Sequence, residues 1–137
     1  MSADFINDIA CMNVTFETGY NKDPVSVPHC RVVSFHNILK EEVAELLEAT
    51  ECDSEIDSIV KYADTLGDIV VYCFSEAARF GIPMGEVLSI IMDSMNSKLV
   101  DGKPLWNDDH SKFIKGPGFI PPESAIRQML LDQGFPS

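Results

Sequence analysis

The chain has 137 residues, 45% of them hydrophobic, with a formal net charge of −12 and a mean hydropathy of +0.03. That length and composition point to one globular domain over 1–137 and exclude a disordered chain. The charge argues against a nucleic-acid groove or an anionic membrane as partner and towards cations.

The opening residues, MSADFINDIA, carry acids and no basic segment, so no signal peptide is expected. The longest strongly apolar run, IVVYCF, is far short of the roughly 20 residues of a membrane span. Cys11, Cys30, Cys52 and Cys73 show no C-x-x-C spacing and no zinc pattern with His29, His36 and His110. Free thiols in a reducing cytoplasm are the expectation.

Apolar residues recur at three and four rather than at two, so helices are expected throughout. The first covers 3–16, and the turn-rich link ETGYNKDPVSVP follows. A second begins at Pro28, a good first-turn residue, and runs to about Ala49. Phe35, Leu39, Val43 and Leu46 share its apolar face; Glu42 falls inside that face, Glu45 at its border, and Glu41 and Glu48 further out. The third opens at Asp53 or Ser54 and stops near Arg79, before Gly81. Between Ile56 and Phe74 it is apolar almost all round, which predicts a buried helix, except for a stripe of Asp57, Lys61, Asp64 and Asp68. A fourth helix spans 83–100. The Gly/Pro-rich stretch DGKPLWNDDHSKFIKGPGFIPP is too long for an idle connector, and a short helix over 122–133 closes the chain. The expected fold class is all-α: a four-helix-bundle core with an N-terminal helix, a Gly/Pro-rich C-terminal arm and a short last helix.

A carboxylate buried in an apolar face costs several kcal/mol unless it is paired or metal-bound. Lys61 can neutralise one acid, not four. If the second and third helices face each other, Glu42 and Glu45 meet Asp64 and Asp68, and an all-oxygen ligand set suits a hard ion such as Mg²⁺ or Mn²⁺. A di-iron carboxylate bundle would need Glu-x-x-His pairs, which the sequence lacks. Lys98, Lys103, Lys112 and Lys115 are four of ten basic residues, and two of them frame SKFIKGPGF, where small residues let backbone N–H groups approach an anion. Asn96 stands just before Lys98. Solvated loop lysines and a surface amide are the ordinary alternatives for these residues. Asn13 is a candidate amide contact to a base, whereas Phe16 and Tyr72 read as packing aromatics.

The blocks EEVAEL, YADTLGDIVVYCFSEAARFGIPM, MNSKLVDGKPL and KFIKGPGFIPP, in that order, resemble the all-α nucleoside triphosphate pyrophosphohydrolases of the MazG-like group. Within it the likeness is to small phage and bacterial members of dUTPase-like and MazZ-like type. The group's signature is Glu-x-x-Glu followed by Glu-x-x-Asp; Glu42 and Glu45 supply the first half, but Lys61 and Thr65 stand where the third glutamate belongs.

The resemblance implies hydrolysis of a (deoxy)nucleoside triphosphate to its monophosphate and pyrophosphate. Two or three Mg²⁺ ions, with Mn²⁺ as the alternative, would sit on Glu42, Glu45, Asp64 and Asp68. Glu41 would be the general base or a further ligand, Lys98, Lys112 and Lys115 would offset triphosphate charge, and Asn96 would seat the nucleotide. It further implies a homo-oligomer, dimer or tetramer, whose arm completes a neighbour's site. Two rivals stand beside it. One is a non-catalytic helical protein binding a nucleotide or a protein, with Lys61 paired to Asp57 and Asp64; the other is phosphoribosyl-ATP hydrolysis, which the long arm fits poorly.

Overall fold

The computed structural model describes residues 4–136, and the fold is all-α apart from one two-stranded hairpin. Contacts gather into two compact units, Met1–Ile82 and Pro83–Ser137. Among the described residues no helix is long and apolar enough to cross a membrane.

In the first unit, α1 (Phe5–Thr15) and α2 (His29–Glu45) pack on α3 (Glu55–Arg79). The expected start of the first helix, residue 3, lies outside the described residues. Asp4 caps α1 by accepting the Asn7 N–H at 3.1 Å, and Ser54 caps α3 by accepting the Asp57 N–H at 3.2 Å. The second helix ends sooner than its apolar period predicts: after Glu45 the chain tightens into a 3₁₀ segment, Leu46–Glu51. Ser58 holds that segment against α3, its hydroxyl donating to the Ala49 carbonyl at 2.7 Å. Gly81 ends α3 at φ +68°, and a side chain there would collide with the Asp23 carbonyl. That close approach lets the link 21–25 bond back to α3, Asn21 N–H to Ala78 and Val25 N–H to Phe80, each at 3.0 Å.

Ion pairs at its two ends show that the α2–α3 pairing is antiparallel. At one end Arg31 grips Glu76 in a bidentate pair through one guanidinium edge, Nη2 donating to Oε1 at 2.6 Å and Nε to Oε2 at 3.0 Å. At the other, Lys61 reaches Glu45 at 3.7 Å and Glu48 at 2.9 Å.

The prediction that α3 is buried all round does not hold. Ile56 is 67% exposed, Val60 59%, and Val70 51%. Among the described residues the buried apolar side chains are Ile9, Ala49, Ala77 and Phe80, a thin core for a chain with this much apolar sequence. The helix is apolar on more faces than α1 and α2 can cover.

In the second unit α4 (Met84–Asn96) packs on α5 (Glu123–Asp132). The fourth helix of the expected bundle therefore belongs to this unit, and it stops short of Val100. Ser94 is buried and donates to the Ile120 carbonyl at 2.7 Å, tying α4 to the end of the arm. The arm is ordered by a hairpin that helical periodicity does not reveal: β1 (Leu105–Trp106) pairs antiparallel with β2 (Phe113–Ile114). Its loop closes on side-chain acceptors. Asn107 Oδ1 takes the Ser111 and Lys112 N–H groups, and Asp109 takes the Ser111 hydroxyl at 2.6 Å, which holds its carboxyl below the usual range. Trp106 stacks on Phe113 with ring centres 4.4 Å apart.

Candidate functional site

The antiparallel pairing of α2 with α3 sets Glu42 opposite Asp64 and Asp68. Glu42 is half-buried, and its Oε2 is buried without a hydrogen bond from any described residue. Its pKa is raised above the ordinary value, first by burial and then by the charges of Glu45, Asp68 and Asp64; Lys61 pulls the other way. Glu45 is part-exposed at the border of the face, and Glu41 is exposed beside it. Asp64 and Asp68 are exposed as well, so of the four acids Glu42 alone keeps an oxygen out of solvent without a partner.

Lys61 does not pair with Asp57 or Asp64, as the rival reading of the sequence expects. Its ammonium lies between Glu45 and Glu48, with its pKa raised chiefly by the Glu48 hydrogen bond. Thr65, fully buried, is turned inward and donates to the Lys61 carbonyl at 3.1 Å. It is no substitute for an acid in this stripe.

Among the described residues no group of three or more His, Cys, Asp or Glu side chains is arranged to hold a metal ion. Mutual repulsion among Glu42, Glu45, Asp64 and Asp68, and the pull of Lys61 on Glu45, both oppose closer approach. The donor chemistry nonetheless fits a hard divalent cation. The set is all carboxylate oxygen, and the orphaned Glu42 Oε2 is the atom such a cation would satisfy.

No family model and no curated protein matches this chain.

The second unit brings two of its lysines together. Lys98, just past α4, and Lys115, just past β2, both lie over the Phe119 ring, with Nζ 5.8 and 4.8 Å from its centre. Gly116 makes this possible, for a Cβ there would sit 2.6 Å from Val100 Cγ2 and 2.9 Å from the Lys98 carbonyl. The Gly116 N–H reaches that carbonyl at 3.3 Å. Among the described residues neither lysine, nor Lys112, is ion-paired. Lys112 stays apart from Phe119, its backbone tied into the hairpin loop through Asn107. Asn96 is exposed at the end of α4 and lines a cavity of about 220 Å³ with Met95, Lys98, Leu105, Phe113 and Ile114.

Asn13 is reassigned. It is fully buried, its Nδ2 donating to the Gly19 carbonyl at 2.9 Å and the Ser75 carbonyl at 2.8 Å, while its Oδ1 accepts from the Ser75 hydroxyl at 2.6 Å. Both amide hydrogens are used, so it clamps α1 and the following turn to α3 rather than facing a ligand. Sequence reading also passed over Phe119 as the platform under the two lysines. An aromatic four residues after Lys115, across Gly-Pro-Gly, was the available signal.

Proposed function

We propose that this chain is a Mg²⁺-dependent hydrolase that splits a (deoxy)nucleoside triphosphate into its monophosphate and pyrophosphate. The observation that carries the reading is Glu42: a carboxylate oxygen buried without a donor, with three more acids raising its pKa. A fold that needed only packing would not keep it.

Glu42, Glu45, Asp64 and Asp68 would hold two or three ions, with Mn²⁺ as a substitute for Mg²⁺. When bound, the ions neutralise triphosphate charge and acidify water. Glu41, exposed and adjacent in sequence to Glu42, would serve as the general base. Lys98 and Lys115, which among the described residues have no carboxylate partner, would offset charge on a phosphate. The cavity beside Asn96 is smaller than the roughly 300–1,000 Å³ of sites that enclose drug-sized ligands, and suits a fragment such as a base. The four free cysteines accord with a reducing cytoplasm.

We also infer a homo-oligomer, dimer or tetramer. Ile56, Ile59, Val60, Ala63, Leu66 and Val70 form one exposed stripe along α3. Gly67 lies within it and opens onto free space. A monomer rarely leaves so continuous an apolar surface to water.

A second reading has one observation in its favour: Lys61 already neutralises Glu45 and Glu48. On that reading the protein binds a nucleotide or a protein and does not hydrolyse it. A pyrophosphate-release assay across the common (d)NTPs, with Mg²⁺ and with EDTA, separates the two. Mg²⁺-dependent release from at least one triphosphate is expected. Triphosphate binding without release in any of them would overturn the hydrolase reading.

A further inference from the structure

The acidic stripe of α3 contains one cation, and its contacts fall on α2 and the 3₁₀ segment that follows. Lys61 Nζ is 2.9 Å from Glu48 Oε2 and 3.7 Å from Glu45 Oε2. Glu45 is one of the proposed metal ligands; Glu48 is not. The closer partner is thus outside the ligand set, and the looser one is inside it.

We propose that Lys61 is a resident counter-cation that competes with divalent ions for Glu45, and that Glu48 holds it partly aside. The inference rests on the metal reading above but concerns how many ions, and how tightly, the acids accept. Without Lys61 the cluster Glu42, Glu45, Glu48, Asp64 and Asp68 would carry five negative charges and no positive one. With it, Glu45 divides its charge between an ammonium and any bound ion. Two like-signed cations on one carboxylate repel, so each weakens the other. Glu48 relieves this by drawing the ammonium towards the solvent side, where the Glu48 side chain is 55% exposed. The arrangement keeps Glu45 neutralised when no metal is bound and leaves it recoverable when metal arrives.

The test is Mn²⁺ binding to the full chain, followed by titration calorimetry and by the loss of the free-ion EPR signal, with no nucleotide present. Lys61→Met keeps the length of the side chain and removes the charge. It should bind Mn²⁺ at least tenfold more tightly, or bind one more ion per chain, while Lys61→Arg stays close to wild type. Glu48→Gln removes the anchor from an exposed position that carries little folding risk, and should weaken Mn²⁺ binding several-fold because the ammonium turns fully onto Glu45. In the Lys61→Met background the Glu48→Gln change should have no further effect. If Glu48→Gln weakens binding equally in both backgrounds, Glu48 acts as a ligand itself and the proposal is wrong. Unchanged binding in Lys61→Met, with wild type binding well, overturns it while leaving the metal reading intact. Absence of binding in wild type, Lys61→Met and Glu48→Gln alike would instead overturn the metal reading.

Discussion

Asn13 is where sequence and structure assign different work to one side chain, and the two assignments have opposite experimental signatures. Asn13→Ala removes two donated hydrogen bonds, to Gly19 and Ser75 carbonyls, and one accepted from the Ser75 hydroxyl. At about 0.5–1.5 kcal/mol net for each bond, the loss is about 1.5–4.5 kcal/mol, and the stranded polar partners push it towards the upper half. For a chain of this size a kcal/mol moves Tm by roughly 4 °C, so a fall on the order of 10 °C is expected.

Asn13→Asp refines the test. The carboxylate nearly matches the amide in volume and keeps Oδ1, but it turns oxygen lone pairs on two carbonyls 2.8 and 2.9 Å away. Burial favours its protonated form, which retains one donor. The folded-state pKa of the introduced acid is therefore raised, and its deficit should be smallest in acid and grow as pH rises through and above the ordinary carboxyl range. Thermal melts by circular dichroism between pH 3.5 and 8 measure both variants. Below the melting transition, KM should be unchanged. An Asn13→Ala protein that melts like wild type but shows a raised KM would refute the clamp and return the amide to the ligand.

The remaining predictions bear on the proposed site. Glu42 carries a raised pKa, so its ionisation weakens the fold as pH climbs above the ordinary value near 4.5. Glu42→Gln should therefore melt higher than wild type at pH 7 in EDTA, with the gap closing at about pH 4 as wild type protonates. Glu41→Gln should lower kcat by about 100-fold without changing Mn²⁺ affinity, as loss of a general base does. Lys115→Ala should reduce kcat/KM roughly tenfold or more, the worth of a charged contact to phosphate, with no change in melting. Lys112→Ala should matter less, because Lys112 is not gathered onto Phe119.

Much of the local structure was legible because it is written in short-range signals. Ser54 caps α3, Gly81 ends it, and the 3.6-residue period set Glu42 inside an apolar face with Glu41 and Glu48 outside. The hairpin was not legible, since strands of two residues have no period to detect; their signal is the side-chain chemistry of Asn107 and Asp109 in the loop. Nor was the partner of Lys61. Spacing along α3 offers Asp57 and Asp64 as neighbours, but the end of α2 and its 3₁₀ continuation bring two glutamates closer. The same tightening shows why apolar period alone overran the end of α2. Exposure of α3 was misread because periodicity reports which faces are apolar, not whether one chain has enough helix to cover them.

The two ends of the α2–α3 pairing make the strongest case that the acidic end is not a structural device. Pinning two antiparallel helices takes one cation and one anion, and Arg31 with Glu76 does so with both partners satisfied and both side chains largely shielded. At the far end one ammonium faces Glu42, Glu45, Glu48, Asp64 and Asp68. If pinning were the purpose, Lys61 with Glu48 would suffice, and the other acids would only add repulsion to a chain already at −12. Excess like charge beside a carboxylate whose buried oxygen has no donor among the described residues lowers the stability of the fold. A divalent cation, as proposed above, would offset this charge and would give the buried Glu42 Oε2 the partner it lacks among the described residues. Cutting the excess from the exposed side, at Asp64→Asn or Asp68→Asn, should therefore leave the apo melting temperature unchanged or raised and, if the proposed metal site is right, abolish stabilisation by Mg²⁺ in thermal melts.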